Sequence, residues 1–212
     1  MITYLKKIYN KIIIIIQKKY KKMYENKLRK NIKNDEFSIL CHNCIGGIIY
    51  NRLGKQFLSP TINLHFESKD FLKFIFNLEY YLSQELIFEE TKNKYPIGIL
   101  GDIEIKFNHY NSNQEAKEAW DRRKKRINYD NLFLIMYDRG GITKEDILKL
   151  ETIKCKNKIV LSEKNYEDID YVLQIKAKKN KIDGQVCLDK DILGIRTFEK
   201  YFDFVKWINC ED

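Results

Sequence analysis

The chain has 212 residues, 44% of them hydrophobic and 13% aromatic, enough to bury one good-sized core and too apolar for a disordered protein. The formal net charge of +9 is confined to one end: residues 1–34 carry 11 Lys or Arg against the single acid Glu25, whereas the rest carries 28 basic and 29 acidic groups. A body so nearly neutral lacks the basic groove of a nucleic-acid-binding domain, so no nucleic acid is expected as a partner.

Residues 2–30 place Ile2, Leu5, Ile8, Ile12, Ile15, Ile16, Tyr20 and Met23 among Lys6, Lys7, Lys11, Lys18, Lys19, Lys21 and Lys22, the pattern of a basic amphipathic helix. Its uninterrupted apolar run, Ile12–Ile16, is far short of the ~20 residues that cross a bilayer. The expectation is a helix lying on an anionic membrane surface through residues 1–30, with packing on its own domain or on a twin subunit as the other outcome. Cys41, Cys44, Cys155, Cys187 and Cys210 form an odd set, and no small-residue cleavage site follows the isoleucine run. Free thiols in a reducing cytoplasmic compartment follow, the protein being peripheral on the inner face of the membrane.

Phe37–Cys41 reads as a short buried strand, while Ile45, Ile48, Ile49 and Leu53 recur at helical spacing. His42, Asn43 and Cys44 then form a strand-to-helix elbow, where unpaired N–H groups and the helix dipole favour an anion, and Gly46 and Gly47 allow close approach. Ser59-Pro60-Thr61 is a turn, Ile62–Phe66 a candidate strand, and Ser68 with Asp70 opens a helix through Leu82. Leu86–Phe88 returns as a strand, and Ile97–Leu100 and Ile103–Phe107 flank Gly101-Asp102 as a hairpin. His109-Tyr110 ends the second arm, and Asn113 caps a helix of about four turns that carries Trp120 and the cluster Arg122 to Arg126. Leu132–Tyr137 is a fully apolar strand followed by Asp138-Arg139-Gly140-Gly141, and Thr143 and Asp146 bracket the next helix start in a near capping box. Ile159–Leu161 and Tyr171–Ile175 are further strands, and Phe198–Ile208 closes the chain as a helix with Phe198, Tyr201, Phe202, Val205 and Trp207 inward.

Fully apolar strands alternating with helices define an α/β fold: one three-layer domain over residues 35–212, with a mostly parallel sheet and an antiparallel hairpin, preceded by a basic helical arm over residues 1–34. Ligands of such sheets bind beyond the carboxyl ends of the strands, which puts His42–Cys44 and Asp138–Gly141 on one rim. His42 and His109, each beside a strand end, suit a general base. His65 reads as a hydrogen-bonded loop residue. Arg123 and Arg126 lie one helical turn apart and suit a phosphate clamp, with a solvated face as the plain alternative. Cys41-x-x-Cys44 sits where a thiol redox pair would, although Cys41 falls inside the strand. One cysteine pair with no second pair or His-x-x-x-His gives no metal set, and no Walker loop, Gly-x-Gly-x-x-Gly or Gly-x-Ser-x-Gly is present.

Six motifs in order carry a resemblance: Asn43-Cys44-x-Gly46-Gly47-x-x-Tyr50, Leu58-Ser59-Pro60-Thr61, Tyr95-Pro96-Ile97-Gly98, His109-Tyr110, Ala116-x-x-x-Trp120-x-x-Arg123-x-x-Arg126-Ile127-Asn128 and Asn131-Leu132-Phe133. Over about residues 36–209 the chain resembles a bacterial domain-of-unknown-function family associated with exopolysaccharide or capsule biosynthesis. The resemblance implies a single α/β domain and a role in cell-surface polysaccharide synthesis, as a transferase. The expected catalytic residues are His42, Cys44, His109 and Asp138. The expected contacts to an activated sugar or phosphate-containing donor are Asn43, Gly46, Gly47, Ser59, Arg123 and Arg126. A non-catalytic, membrane-docked module that binds glycan or a partner enzyme is the alternative, and a cytoplasmic thiol redox protein the third.

Overall fold

The computed structural model describes residues 2–176 and 186–211. In chain order its elements are α1 (Ile2–Asn31), β1 (Ser38–Cys41), α2 (Ile45–Leu53), β2 (His65–Phe66), α3 (Ser68–Phe76), α4 (Leu78–Ser83), β3 (Leu86–Phe88), β4 (Ile97–Leu100), β5 (Ile103–Lys106), α5 (Asn113–Lys124), β6 (Leu132–Tyr137), α6 (Lys144–Lys149), β7 (Asn157–Ser162), β8 (Val172–Gln174), α7 (Phe198–Tyr201) and α8 (Phe204–Asn209), joined in places by single 3-10 turns. The side chains of Ile2, Leu5 and Ile8, expected on the apolar face of α1, lie outside the described residues.

Three helix boundaries differ from expectation, each through a polar side chain that claims a backbone group. Asn77 leaves helical geometry and turns its amide back toward the Lys73 carbonyl at 3.4 Å, dividing the helix after Ser68 into α3 and α4. Ser112 rather than Asn113 caps α5, its hydroxyl accepting the Glu115 N–H at 3.2 Å. Asp203 accepts the Lys206 N–H at 3.1 Å and starts α8, so the closing helix is two short ones and Tyr201 faces solvent rather than the core. At α6 both halves of a capping box form between Thr143 and Asp146.

The expected hairpin is β4 and β5, and β3 and β2 extend it into an antiparallel sheet of order β2-β5-β4-β3. The parallel sheet has order β1-β6-β7-β8, with Ile39 opposite Phe133 and Ile135 opposite Ile159. The two meet where the Phe66 N–H donates to the His42 carbonyl at 3.0 Å. Side chains alternate through the parallel sheet. Leu40, Leu134, Met136 and Val160 pack with the antiparallel sheet, α3, α5 and α6, while Ile39, Cys41, Phe133, Ile135, Tyr137 and Leu161 pack with α2, α7 and α8.

That alternation places the site. After β1 the chain turns into α2 on one face; after the adjacent β6 it turns into α6 on the other. The two connections part at the carboxyl ends of β1 and β6, the position at which open α/β sheets bind ligands. On its other side β1 has no strand among the described residues. There the Tyr50 hydroxyl accepts the Ile39 N–H at 3.2 Å and donates to the Phe37 carbonyl at 2.7 Å, and Thr61 Oγ1 accepts the Cys41 N–H at 3.0 Å.

The second half of α1 is bound to the body. Leu28 joins the core, Arg29 Nε donates to the Arg52 carbonyl at 3.0 Å, and Glu25 pairs with Arg52 at 3.2 Å. Among the described residues no helix is long and apolar enough to cross a membrane.

Candidate functional site

The rim begins with β1 running straight into α2. Asn43 makes the turn possible: its Oδ1 accepts the Ile45 N–H at 3.0 Å and the Cys41 thiol at 3.2 Å, so it serves as the cap that Cys44, at the N-cap position, does not provide. His42 is fully buried against Phe71, and its Nε2 accepts the Tyr137 N–H at 3.1 Å across the gap between β1 and β6. The ring proton is therefore on Nδ1, which has no partner among the described residues. Burial, with Arg139 and His65 nearby, holds His42 well below the ordinary histidine range, so the ring is neutral and ties the two strand ends together.

Cys44 and His109, 65 residues apart, meet with Sγ 3.3 Å from Nε2. Burial raises the Cys44 thiol above its ordinary range, and the charges of Arg196 and Arg139 oppose that rise. A thiol facing an imidazole nitrogen is an arrangement that can supply a nucleophile and its base.

Beside this pair, Arg139 Nη2 lies 3.0 Å from His65 Nδ1 and 3.2 Å from Nε2. Burial, together with the Arg139 charge, pushes His65 down to about 4. Asp138 is buried behind the rim: its Oδ2 accepts from Ser162 Oγ at 2.8 Å and the Tyr166 hydroxyl at 2.9 Å, with Lys164 Nζ at 3.5 Å. Asp138, Arg139, Gly140 and Gly141, with Glu163 and Lys164, line a shallow depression of about 180 Å³.

The other expected contacts lie elsewhere. A Cβ on Gly46 would meet Ile62 Cδ1 at 2.9 Å and Cys41 Cβ at 3.2 Å, and one on Gly47 would meet Asn63 Oδ1 at 2.5 Å. The missing side chains make room for the chain's own turn at residues 60–63, not for a ligand. Ser59 is fully buried with its hydroxyl 3.1 Å from that of Thr61. Arg123 is buried under the rings of Phe57 and Tyr110, its Nη1 donating to the Ile62 carbonyl at 2.8 Å and to the Tyr110 hydroxyl at 2.5 Å. It fastens α5 to the turn beside β1. Arg126, half-buried just beyond α5, has its backbone N–H on the Arg123 carbonyl and does not join the Cys44–His109 pair.

Arg123→Lys is expected to lower unfolding stability by about 1–3 kcal/mol, since an ammonium cannot reach both acceptors and stack between two rings. Equilibrium denaturation with activity measured alongside checks it. Activity falling with stability unchanged would return Arg123 to the phosphate-clamp role.

Arg139 is the rim residue that sequence reasoning passed over, and His65 was read as an ordinary loop histidine. The available signal was a cation between a strand end and a glycine pair, with Gly140 and Gly141 both at positive φ. Among the described residues no group of three or more His, Cys, Asp or Glu is placed to hold a metal ion.

A family model described as "Domain of unknown function (DUF1919)" matches residues 15–209. The match therefore extends past the expected residue 36 into the docked half of α1. An "Uncharacterized protein" of Haemophilus influenzae strain Rd is 35% identical over 203 residues, spanning 95% of this chain and 98% of that protein. Neither description carries the polysaccharide association that the resemblance implied.

Proposed function

The chain belongs to the family described as Domain of unknown function (DUF1919), and from that premise we propose a transferase of cell-surface polysaccharide assembly that takes a sugar- or phosphate-containing donor at the rim beyond the carboxyl ends of β1 and β6. The contact of Cys44 Sγ with His109 Nε2 at 3.3 Å carries the reading. In the first step the thiol attacks the donor's transferable group. An S–X bond forms, the bond from X to the leaving oxygen breaks, and the thiol proton passes through His109 to that oxygen. An acceptor hydroxyl then attacks X, its proton goes to His109 and on to sulfur, and free Cys44 returns. Arg139 and Arg196, whose charges act on Cys44, neutralise the donor's phosphate.

The redox reading has less support. Cys41 is completely buried, its thiol pushed up to about 11 and donating to Asn43 Oδ1, so it is closed to a partner as the second thiol of a CxxC pair.

Two measurements test the proposal. Cells lacking the chain are expected to lose extractable surface polysaccharide, and an unchanged yield overturns the biological role. Calorimetric titration of a nucleotide sugar is expected to show binding that Arg139→Ala weakens roughly 10–100-fold, the ~1.5–3 kcal/mol of a hydrogen bond to a charged group. Equal affinity in the two proteins removes Arg139 from the donor site.

A further inference from the structure

α1 carries two apolar faces. One turns inward: Leu28 packs on the core, and the Tyr24 ring centre lies 5.5 Å from Arg52 Cζ. On the other side Tyr9, Ile12, Ile16, Tyr20 and Met23 follow one another at intervals of three and four residues and so form a single stripe. All five are exposed, and Ile15, 65% exposed, widens the stripe. Lys11, Lys19 and Lys22, which share the row of Ile15, stand exposed along its border.

We infer that this stripe is a docking surface for an anionic lipid bilayer. Charge selects the occupant. Residues 1–34 hold 11 cationic side chains and one acid. That acid, Glu25, is turned inward, with carboxylate oxygens 3.2 Å from Arg52 and 3.6 Å from Arg29. A second copy laid on the stripe would bring two rows of lysine together with no carboxylate between them. An anionic bilayer supplies an apolar slab for the isoleucines and negative headgroups within reach of the lysine ammoniums, whose stems lie along the apolar boundary. Tyr9, Ile12 and Ile16 are exposed on the first half of the helix, while Tyr20 and Met23 also border the groove that Leu28 and Tyr24 share with Phe202 and Val205, so the first half of α1 can rest on a surface while its second half remains bound to the body.

The full chain is to be sedimented with vesicles of phosphatidylcholine alone and of equal parts phosphatidylcholine and phosphatidylglycerol. Binding is expected only to the anionic vesicles. It should weaken about tenfold or more in Ile12→Asn/Ile16→Asn and again in Lys11→Glu/Lys19→Glu/Lys22→Glu. Every altered side chain is exposed, so the melting temperature should not move, and the lysine variant tests the surface without touching the stripe. Equal binding to neutral vesicles, no binding by the natural sequence, or full binding by both variants overturns the inference. So does sedimentation velocity showing a dimer that the isoleucine pair dissolves while anionic vesicles are ignored, which would assign the stripe to a second copy.

Discussion

Cys44→Ala, Cys44→Ser and His109→Ala are each expected to abolish surface-polysaccharide output, lowering turnover about 10²–10⁴-fold, while the melting temperature stays within a degree or two of the natural protein. Cys44 is only partly buried and touches His109 at the protein surface, so removing either group opens no core cavity. Serine is the informative substitution, since its hydroxyl preserves the hydrogen bond to His109 Nε2 but is a far poorer nucleophile. If Cys44→Ser keeps its activity, sulfur is not attacking the donor, and His109 alone serves as base to the acceptor hydroxyl. Burial raises the Cys44 thiol, so the thiol is protonated at neutral pH and His109 must take its proton during attack. Thiolate absorbance at pH 7 should accordingly be absent. Thiolate absorbance already present at pH 7 would contradict general-base activation of a protonated thiol.

Glu199→Gln is expected to cost about 3–5 kcal/mol, because it leaves a buried guanidinium with a diminished counter-charge. Arg52 is 6% exposed. Its Nε donates to Glu199 Oε1 at 2.8 Å, its Nη2 to Glu199 Oε2 and to the Gly194 carbonyl at 3.0 Å each, and its Nη1 to Glu25 at 3.2 Å. Glu199, whose side chain is fully buried, also accepts the Arg196 N–H at 2.8 Å, so this carboxylate of α7 joins α2 to the segment before α7, and Arg52 carries the link on to Glu25 of α1. For a domain of this size the loss corresponds to a melting temperature lower by roughly 6–20 °C. Calorimetry or denaturant unfolding measures it directly. A change below about 1 kcal/mol would mean that water solvates the guanidinium as well as the carboxylate does.

Local pattern was enough to read the run from Phe37 to Leu53, the 97–107 hairpin and the strand Leu132–Tyr137, because each carries its periodicity within a few residues. The strands of the second sheet were legible as candidates at 62–66, 86–88 and 97–107, but their union into a separate sheet was not, because β2 and β3 have two and three residues, too few to name a partner. The site was legible in part. A strand-to-helix elbow and a polar turn after an apolar strand do converge on one rim. Which side chains point there depends on partners far along the chain: His109 lies 65 residues from Cys44, and Ile62, which takes Arg123, lies 61 residues from it. Most motif residues behind the resemblance turn out to hold the fold. Tyr50 and Thr61 complete the hydrogen bonds of β1, Gly98 lets Leu86 and Phe107 close over β4, and Asn131 donates to the Asn34 side chain at 2.7 Å.

The hydroxyls of Tyr50 and Thr61 have a further consequence, because β1 is an outermost strand and such strands ordinarily template the addition of foreign ones. Natural sheets blunt that hazard with charge, proline, a bulge or a covering segment. β1, which reads Ser-Ile-Leu-Cys, carries neither charge nor proline. Here the Ile39 and Cys41 N–H groups and the Phe37 carbonyl are already bonded to two side chains of the same molecule. An incoming peptide would have to displace buried hydrogen bonds before gaining its own. Fibre-like growth by strand addition is therefore closed along β1, and the apolar strand that anchors the strand-to-helix elbow can remain uncharged without becoming a nucleus for aggregation.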